Sequence, residues 1–234
     1  MKDLGAKFRL RKSRFITLEG IDGTFKTTIV NKLANKLDAT GISVFKTADP
    51  PLIPPWTNLN EQFQTGEIID KVAEALLLLT IRIDNSARMI KPVLKKGSIV
   101  LSDRYVDSWL AYQSVHLEEN FGSSLSALIF LINEFTQFAS RDFVIWPDLT
   151  FLIIDKPDQA VERVKRRGDI SKYDRIELQS KVQDIYLFLA DMYPERILKI
   201  EIGSLGFDNV FQEIWSKINT RVDLFSEFLS PNCT

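Results

Sequence analysis

The stretch Gly20-Ile21-Asp22-Gly23-Thr24-Phe25-Lys26-Thr27 carries the residue types that bind phosphate. It nearly fits the phosphate-binding pattern G-x-x-x-x-G-K-[ST]. In such a loop, backbone N–H groups and a helix amino terminus surround phosphate oxygens. Lys26 would neutralise β- and γ-phosphate charge, and the Thr27 hydroxyl would hold magnesium. Phe25 stands where the pattern has its second glycine. Glycine there lets the backbone approach the phosphates without a side chain, so this phenylalanine must point away from the nucleotide or obstruct it. A second constellation is Ser102-Asp103-Arg104-Tyr105. An aspartate at a strand end can hold the water shell of magnesium beside Thr27, and Arg104 can grip a phosphate bidentately. Taken alone, Asp103-Arg104-Tyr105 reads rather as a surface ion pair.

These residues need elements to position them. Phe15 to Glu19 predicts a short strand, and Lys26 to Leu37 a helix with Ile29, Val30, Leu33 and Leu37 on one face, ended by Gly41. Ser43 to Thr47 predicts a second strand, after which Pro50, Pro51, Pro54 and Pro55 forbid regular structure. A helical region runs from about Glu67 to Lys95 and stops at Gly97; Ser98 to Ser102 then predicts a buried strand ending at Asp103. Residues 108–140 read as mostly helical, and Leu149 to Ile154, announced by Pro147-Asp148, as another buried strand. Helices are expected at 157–167 and 175–193, a last strand at Ile197 to Ile202, and a last amphipathic helix from Asp208 to Phe228.

Short apolar strands alternating with helices imply an α/β fold: a parallel five-stranded sheet covered by helices on both faces. No internal repeat and no linker divides the chain, so one domain is expected over 15–228, with a basic arm at 1–14 and a tail at 229–234. Ligands in such sheets bind beyond the carboxyl ends of the strands. The informative residues should therefore follow Glu19, Thr47 and Ser102.

The chain has 234 residues, 45% of them hydrophobic and 26% charged, enough apolar material for a sizeable core. With 30 Lys+Arg against 31 Asp+Glu the formal net charge is −1, which argues against a nucleic-acid partner. Cys233 is the one cysteine and His116 the one histidine, which excludes an intramolecular disulfide and zinc ligation by a Cys or His cluster. No apolar run approaches the ~20 residues of a membrane span, and no apolar stretch follows the six basic residues of the first fourteen as a signal peptide requires. The arm reads as a solvated segment, and a cytoplasmic location with no membrane partner is expected.

Several motifs in order carry a family resemblance. Phe15-Ile16-Thr17-Leu18-Glu19-Gly20-Ile21-Asp22-Gly23 resembles the opening strand and loop of thymidylate kinases. Asp103-Arg104-Tyr105 with Ser108 and Ala111-Tyr112-Gln113 is similar to their Asp-Arg-Tyr…Ser…Ala-Tyr-Gln signature. Pro147-Asp148-Leu149-Thr150 is similar to the opening of their fourth strand. Arg163-Val164-Lys165-Arg166-Arg167-Gly168, followed by Asp174-Arg175-Ile176-Glu177, resembles the basic lid of bacterial-type members, placing a lid at about 163–176. The resemblance runs from about Phe15 to Ile200.

The resemblance implies a P-loop NTPase-type fold and a nucleoside-monophosphate kinase that moves the γ-phosphoryl group of ATP to dTMP, giving dTDP, with ATP and Mg2+ as cofactors and a homodimer as the assembly. Gly20, Ile21, Asp22, Gly23, Thr24, Phe25, Lys26, Thr27 and Thr28 would bind the donor phosphates, with magnesium near Thr27 and Asp103. Asp22 would contact the acceptor sugar and help orient Arg104, which would bind the acceptor phosphate. Arg82 and Gln113 would read the pyrimidine, with Ser108 nearby, and Tyr112 would crowd the ribose 2′ position. Lys26, Arg104 and the lid arginines Arg163, Arg166 and Arg167 would carry the transfer. Such transfer needs positioning and positive charge rather than a covalent nucleophile.

Three positions depart from the family pattern. Phe25 interrupts the loop, Thr47-Ala48-Asp49-Pro50 lacks the usual arginine, and Leu78 replaces a phenylalanine that stacks on the base. Ala48 and Leu78 leave open an acceptor that is another pyrimidine monophosphate; Phe25 and Ala48 leave open a non-catalytic paralogue. Elsewhere, His116 is expected at the surface, Trp56 is expected to pack, and Trp109 either packs or leans into the acceptor site.

Overall fold

A computed structural model of the chain describes residues 14–65, 67, 70–121, 124–138, 144–168, 175–203 and 206–220. The arm up to residue 13, the middle of the expected lid (169–174) and everything from 221 onward, including the end of the expected last helix (221–228), lie outside the described residues.

Five strands, β1 (Phe15–Glu19), β2 (Val44–Ala48), β3 (Ile99–Asp103), β4 (Leu149–Ile154) and β5 (Ile197–Glu201), form one parallel sheet in the order β2-β3-β1-β4-β5. Around it lie α1 (Lys26–Asp38), α2 (Thr57–Thr65), α3 (Lys71–Asn85), α4 (Lys91–Lys95), α5 (Val106–Phe121), α6 (Ser124–Phe138), α7 (Pro157–Arg167), α8 (Ile176–Met192) and α9 (Gly206–Thr220).

Alternation along the strands builds two cores. Ile16 and Leu18 of β1, with Ile99, Leu101, Phe151 and Ile153, pack against Ile29, Leu33 and Leu37 of α1 and Val210, Phe211 and Ile214 of α9. Phe15, Val100 and Leu152 face the other way, against Val106 and Leu110 of α5 and Val182, Tyr186 and Leu189 of α8. Successive side chains point to opposite faces, so a strand read as a continuous apolar run serves both layers.

The expected strands and most helices are present, with shifted edges: β2 is Val44–Ala48 rather than 43–47. Two features differ in kind. Thr57–Thr65 forms a helix directly after the proline cluster, where the run Thr-Asn-Leu-Asn-Glu-Gln-Phe-Gln-Thr offers too few apolar residues to show a period. The helical region expected from Glu67 begins instead at Lys71, where the Asp70 carboxylate caps the Ala73 N–H at 2.8 Å. It also passes through a π-helical segment, Ser86–Ile90. Pro92, just beyond that segment, has no N–H to give to residue 88.

The topology directs the site. β1 sits between β3 and β4, and Leu18 pairs with Asp103 while Ala48 pairs with the same Asp103 from the other side. The ends of β1, β2 and β3 thus converge on one crevice at the carboxyl edge of the sheet.

Candidate functional site

The loop after β1 is a backbone structure before it is a chemical one. Gly20 has φ +138°, and a Cβ there would lie 2.3 Å from the carbonyl oxygen of Ile153 in β4. Gly23 has φ +83°, and its Cβ would lie 2.2 Å from the carbonyl oxygen of Ala160 in α7. Both glycines are required by close approach of the loop to the sheet and to α7. Phe25 adopts φ +63°, the left-handed region that glycine occupies without penalty. A bulky residue held there costs about 1–3 kcal/mol that its surroundings must supply. The Phe25 ring meets Phe207 of α9 edge to face at 5.8 Å, and the Arg163 guanidinium lies 4.9 Å from its centroid. The sequence pattern required this ring to turn aside, and these two contacts are where it goes.

Lys26 is buried and folds back on its own loop, donating to the Ile21 carbonyl oxygen at 2.6 Å and the Thr24 hydroxyl at 3.3 Å. Burial, helped by the charge on Arg104, lowers its pKa to about 8, against the pull of Asp22, Asp103 and Glu19. The hydroxyl of Thr27 donates to Asp103 Oδ2, which joins the start of α1 to the end of β3. Residues 22 to 28 of the loop, with Asp103, Arg104 and Arg167, line one polar cavity.

Arg104 leaves β3 with φ +68°, its N–H bonded to the Leu18 carbonyl oxygen at 3.0 Å, and its side chain turns toward the loop. One terminal nitrogen donates to Gly20 O (2.9 Å), Ser108 Oγ (3.1 Å) and Tyr186 Oη (3.1 Å). The other donates to Asp22 Oδ1 (2.6 Å) and Tyr112 Oη (3.2 Å). Burial pushes the Asp22 carboxyl up, but Arg104 and Lys26 outweigh it and hold the pKa down at about 2. Beneath this pair, Glu19 accepts from Ser108 and, at 3.3 Å, from Tyr186, while its Oε1 is buried without a partner. Burial and the neighbouring Asp107 charge push the Glu19 carboxyl up to about 8.

A second cluster lies under the end of β2. Arg82 on α3 is buried; its Nε donates to Asp49 Oδ2 at 2.5 Å, and its guanidinium sits 5.5 and 5.7 Å from the rings of Tyr105 and Trp109. Burial raises the Asp49 carboxyl, opposed by Arg82. One Arg82 terminal nitrogen, Asp49 Oδ1 and Gln113 Oε1 are buried with no hydrogen-bond partner.

The structure therefore brings together the loop, Asp103, Arg104, Ser108 and Tyr112, and sets Arg82 and Gln113 as buried groups on α3 and α5. The arginines of α7 are divided. Arg163 donates from Nε to the Gly23 carbonyl oxygen at 2.8 Å and pairs with Asp155. Arg166 is exposed and pairs with Glu162 of its own helix at 3.1 Å. Arg167 lines the polar cavity at the loop. His116 is a correction: it is largely buried, its Nδ1 3.6 Å from the carboxylate of Glu74, because its position on α5 faces α3. Trp56 donates to Asp84 at 3.0 Å, and Trp109 packs with its indole N–H on the Ala75 carbonyl oxygen at 2.9 Å.

Sequence reasoning overlooked Gln179, Tyr186, Asp155 and the Asp49–Arg82 pair. Gln179 and Tyr186 sit on the buried face of α8, where a polar residue at an apolar period is the one available signal.

No group of three or more His, Cys, Asp or Glu among the described residues could hold a metal ion, and none of the helices described is long and apolar enough to cross a membrane. The thymidylate kinase family model matches residues 18–214. A probable thymidylate kinase of Methanosarcina barkeri is 32% identical over 229 residues, spanning 94% of this chain and 100% of its own. The thymidylate kinase of Clostridium novyi is 31% identical, spanning 88% of this chain and 98% of its own. The crystal structure of thymidylate kinase from Ehrlichia chaffeensis superposes with a TM-score of 0.66 at 25% identity, covering 88% of this chain and 98% of that one. Taken with the loop, the Asp-Arg-Tyr turn and the strand order, these matches show that the chain belongs to the thymidylate kinase family.

Proposed function

We propose that the protein is an ATP-dependent dTMP kinase: the bond from Pγ to the β,γ-bridging oxygen of ATP breaks, ADP leaves, and the γ-phosphoryl group bonds to a 5′-phosphate oxygen of dTMP, giving dTDP. The observation that carries the reading is the position of Arg104. Its guanidinium lies against the phosphate loop, 2.9 Å from Gly20 O and 2.6 Å from Asp22, so a second phosphate-binding cation faces the first. Two phosphates brought together on Lys26 and Arg104 are set for transfer between them.

In this reading the loop from Gly20 to Thr28 and Lys26 hold the donor phosphates. Asp22 keeps Arg104 oriented toward the acceptor phosphate, and Tyr112 closes the sugar side. Arg167, within the cavity, supplies transition-state charge; one such arginine is worth roughly three to five orders of magnitude in rate. Arg163 holds the loop, and Arg166 stands outside. Thr27 and Asp103 present a hydroxyl and a carboxylate side by side, the hard oxygen donors that magnesium takes together with waters and phosphate oxygens. Magnesium bound there would neutralise charge on the donor phosphates.

Two buried atoms without partners support the base assignment. Arg82 offers a donor and Gln113 an acceptor. Thymine and uracil present a matching pair, a carbonyl oxygen beside a ring N–H; cytosine presents the two kinds of group in reversed order, an amino donor and a bare ring nitrogen, and matches only with the two partners exchanged. A neighbouring reading, another pyrimidine monophosphate as acceptor, is favoured by Ala48 and Leu78, which remove a cation and an aromatic face from that side. The non-catalytic reading loses support, because the Phe25 ring packs on Phe207 and Arg163. We further propose a homodimer, supported by exposed Leu76 on α3 and Phe130 on α6, acting in the cytoplasm.

The test is ADP release from MgATP with dTMP, dUMP, dCMP and UMP, beside Lys26→Ala. Turnover on dTMP that falls at least about a hundredfold in the variant is expected. Equal turnover on dCMP would remove the base assignment, and no turnover on any of the four would remove the kinase.

A further inference from the structure

Phe25 is the residue that the phosphate loop should not have, and its surroundings are specific. Its ring is half-buried and touches two elements that come from far along the chain: Phe207, in the first turn of α9, and Arg163, on α7. Arg163 grips the loop twice, through the Gly23 carbonyl oxygen at 2.8 Å and through the Phe25 ring, and is itself held by Asp155 at the end of β4. Phe207 is held in turn. Lys32 of α1 lies 4.9 Å from its ring and forms an ion pair with Asp208 at 2.8 Å. The same stripe continues down α9: Lys32 lies 4.5 Å from Phe211, and Lys36 lies 4.3 Å from Trp215. α1 and α9 are thus laced together by cations on aromatic faces, and Phe25 is the top rung of that ladder, placed in the loop itself.

We propose that Phe25 is a positioning residue. It tethers the phosphate loop to the last helix through Phe207 and to α7 through Arg163, and so holds the loop amides in their phosphate-binding arrangement before nucleotide arrives. Where glycine would leave the loop free to adopt this backbone, the aromatic tether holds it there against the cost of φ +63°. Phe207 then influences donor binding from outside the loop. The inference rests on the loop binding donor phosphates, as in the proposed function, but not on the identity of the acceptor.

The experiment is a two-residue cycle, Phe25→Gly, Phe207→Ala and the double variant. It reads MgATP affinity by calorimetry without acceptor, and amide hydrogen exchange over residues 20–28 in the nucleotide-free protein. Each single variant is expected to weaken MgATP binding about three- to tenfold, the size of one buried aromatic contact, and to speed exchange of the loop amides. The double variant should add nothing to Phe25→Gly. Phe207→Tyr, which keeps an aromatic ring, should restore affinity to within about twofold of the unaltered protein. Tighter MgATP binding in Phe25→Gly, or additive losses with unchanged loop exchange, would overturn the tether. Because loop exchange is read without nucleotide, a protein that transfers no phosphoryl group would refute the kinase reading while still deciding this one.

Discussion

Gln179 holds Asp22 from two sides: the Asp22 N–H lies 3.2 Å from Gln179 Oε1, and the Gln179 amide donates to Asp22 Oδ2 at 3.1 Å. Tyr112 Oη completes the ring, 3.0 Å from Asp22 Oδ2 and 3.2 Å from Gln179 Oε1. Gln179 is wholly buried on α8 and reaches Arg104 through Asp22 and through Tyr112. Replacing it by leucine leaves the Asp22 carboxylate short of a donor and free to turn. We expect Gln179→Leu to raise the KM for dTMP about ten- to a hundredfold, the worth of one hydrogen bond to a charged group. The KM for ATP should change by less than about twofold. A parallel loss in both would show that Gln179 supports the whole loop rather than the acceptor side.

Lys26 sets a pH limit on donor binding. In the proposed function its ammonium group holds the donor phosphates, and burial with Arg104 nearby brings its pKa in the free protein to about 8. MgATP affinity is therefore expected to be level below that pH and to fall as pH rises above it, up to tenfold per unit. The stability effect runs the other way. The unfolded chain keeps the Lys26 proton up to about pH 10.5 and the folded chain loses it near 8, so stability rises with pH between the two. Lys26→Met should remove that rise and stabilise the nucleotide-free protein at neutral pH. Urea titrations at pH 7 and 9.5, beside calorimetric MgATP titrations across the same range, check both signs.

Much of this site was legible because its chemistry is local in the chain. Gly20 to Thr28 and Asp103 to Gln113 are contiguous motifs, and a strand that ends at Glu19 or Asp103 delivers them to one edge. The partners were not legible, because they are set by packing across long intervals. Asp22 meets Gln179 at a separation of 157 residues, and Arg163 meets Gly23 at 140. Gln179 and Tyr186 occupy positions that an amphipathic pattern assigns to core, and only the sheet order shows that α8 runs beneath Arg104. The arginines of α7 show the same limit. Their spacing puts three cations near one helix end, but rotation about the helix sends Arg163 to the loop, Arg167 to the cavity and Arg166 to solvent. Phe25 reads as a defect in the chain alone, and as a contact once α9 is in place.

Glu19 gives a second, opposite pH dependence. Burial and Asp107 push its carboxyl from 4.5 to about 8, so the folded protein holds a proton that the unfolded chain releases at lower pH. Stability contributed by the neutral acid is therefore lost as pH rises from about 4.5 toward 8, and the loss levels off above that. Glu19→Gln keeps the shape without the ionisation. The variant is expected to gain stability relative to the unaltered protein as pH is raised from 5 to 8, with no further gain beyond. Thermal melts at pH 5, 6.5, 8 and 9 read this directly; a difference that stays flat across the series would mean that the buried carboxyl ionises in the usual range.

Arg196 and Asp107 form the buried ion pair farthest from the reaction in role. Arg196 donates to both oxygens of Asp107, at 2.6 and 2.8 Å, and one of its nitrogens also reaches Thr150 Oγ1 at 2.9 Å. Its guanidinium lies 5.4 Å from each of the rings of Trp146 and Tyr193. The pair joins the residue before β5 to the first turn of α5 and to β4. Removing one partner strands a charge away from water, which costs about 3–5 kcal/mol, whereas replacing both by apolar groups of similar volume is often neutral. Arg196→Met is therefore expected to lower unfolding free energy by that amount, and Arg196→Met with Asp107→Leu to recover most of it. Both should leave the KM values for ATP and dTMP within about twofold, since neither residue touches the phosphate loop or Arg104. Chemical denaturation of the two variants, with steady-state kinetics on the folded fraction, separates a role in stability from one in the site; a double variant as unstable as the single one would show that the polar contact to Thr150, rather than the paired charge, is what the fold needs there.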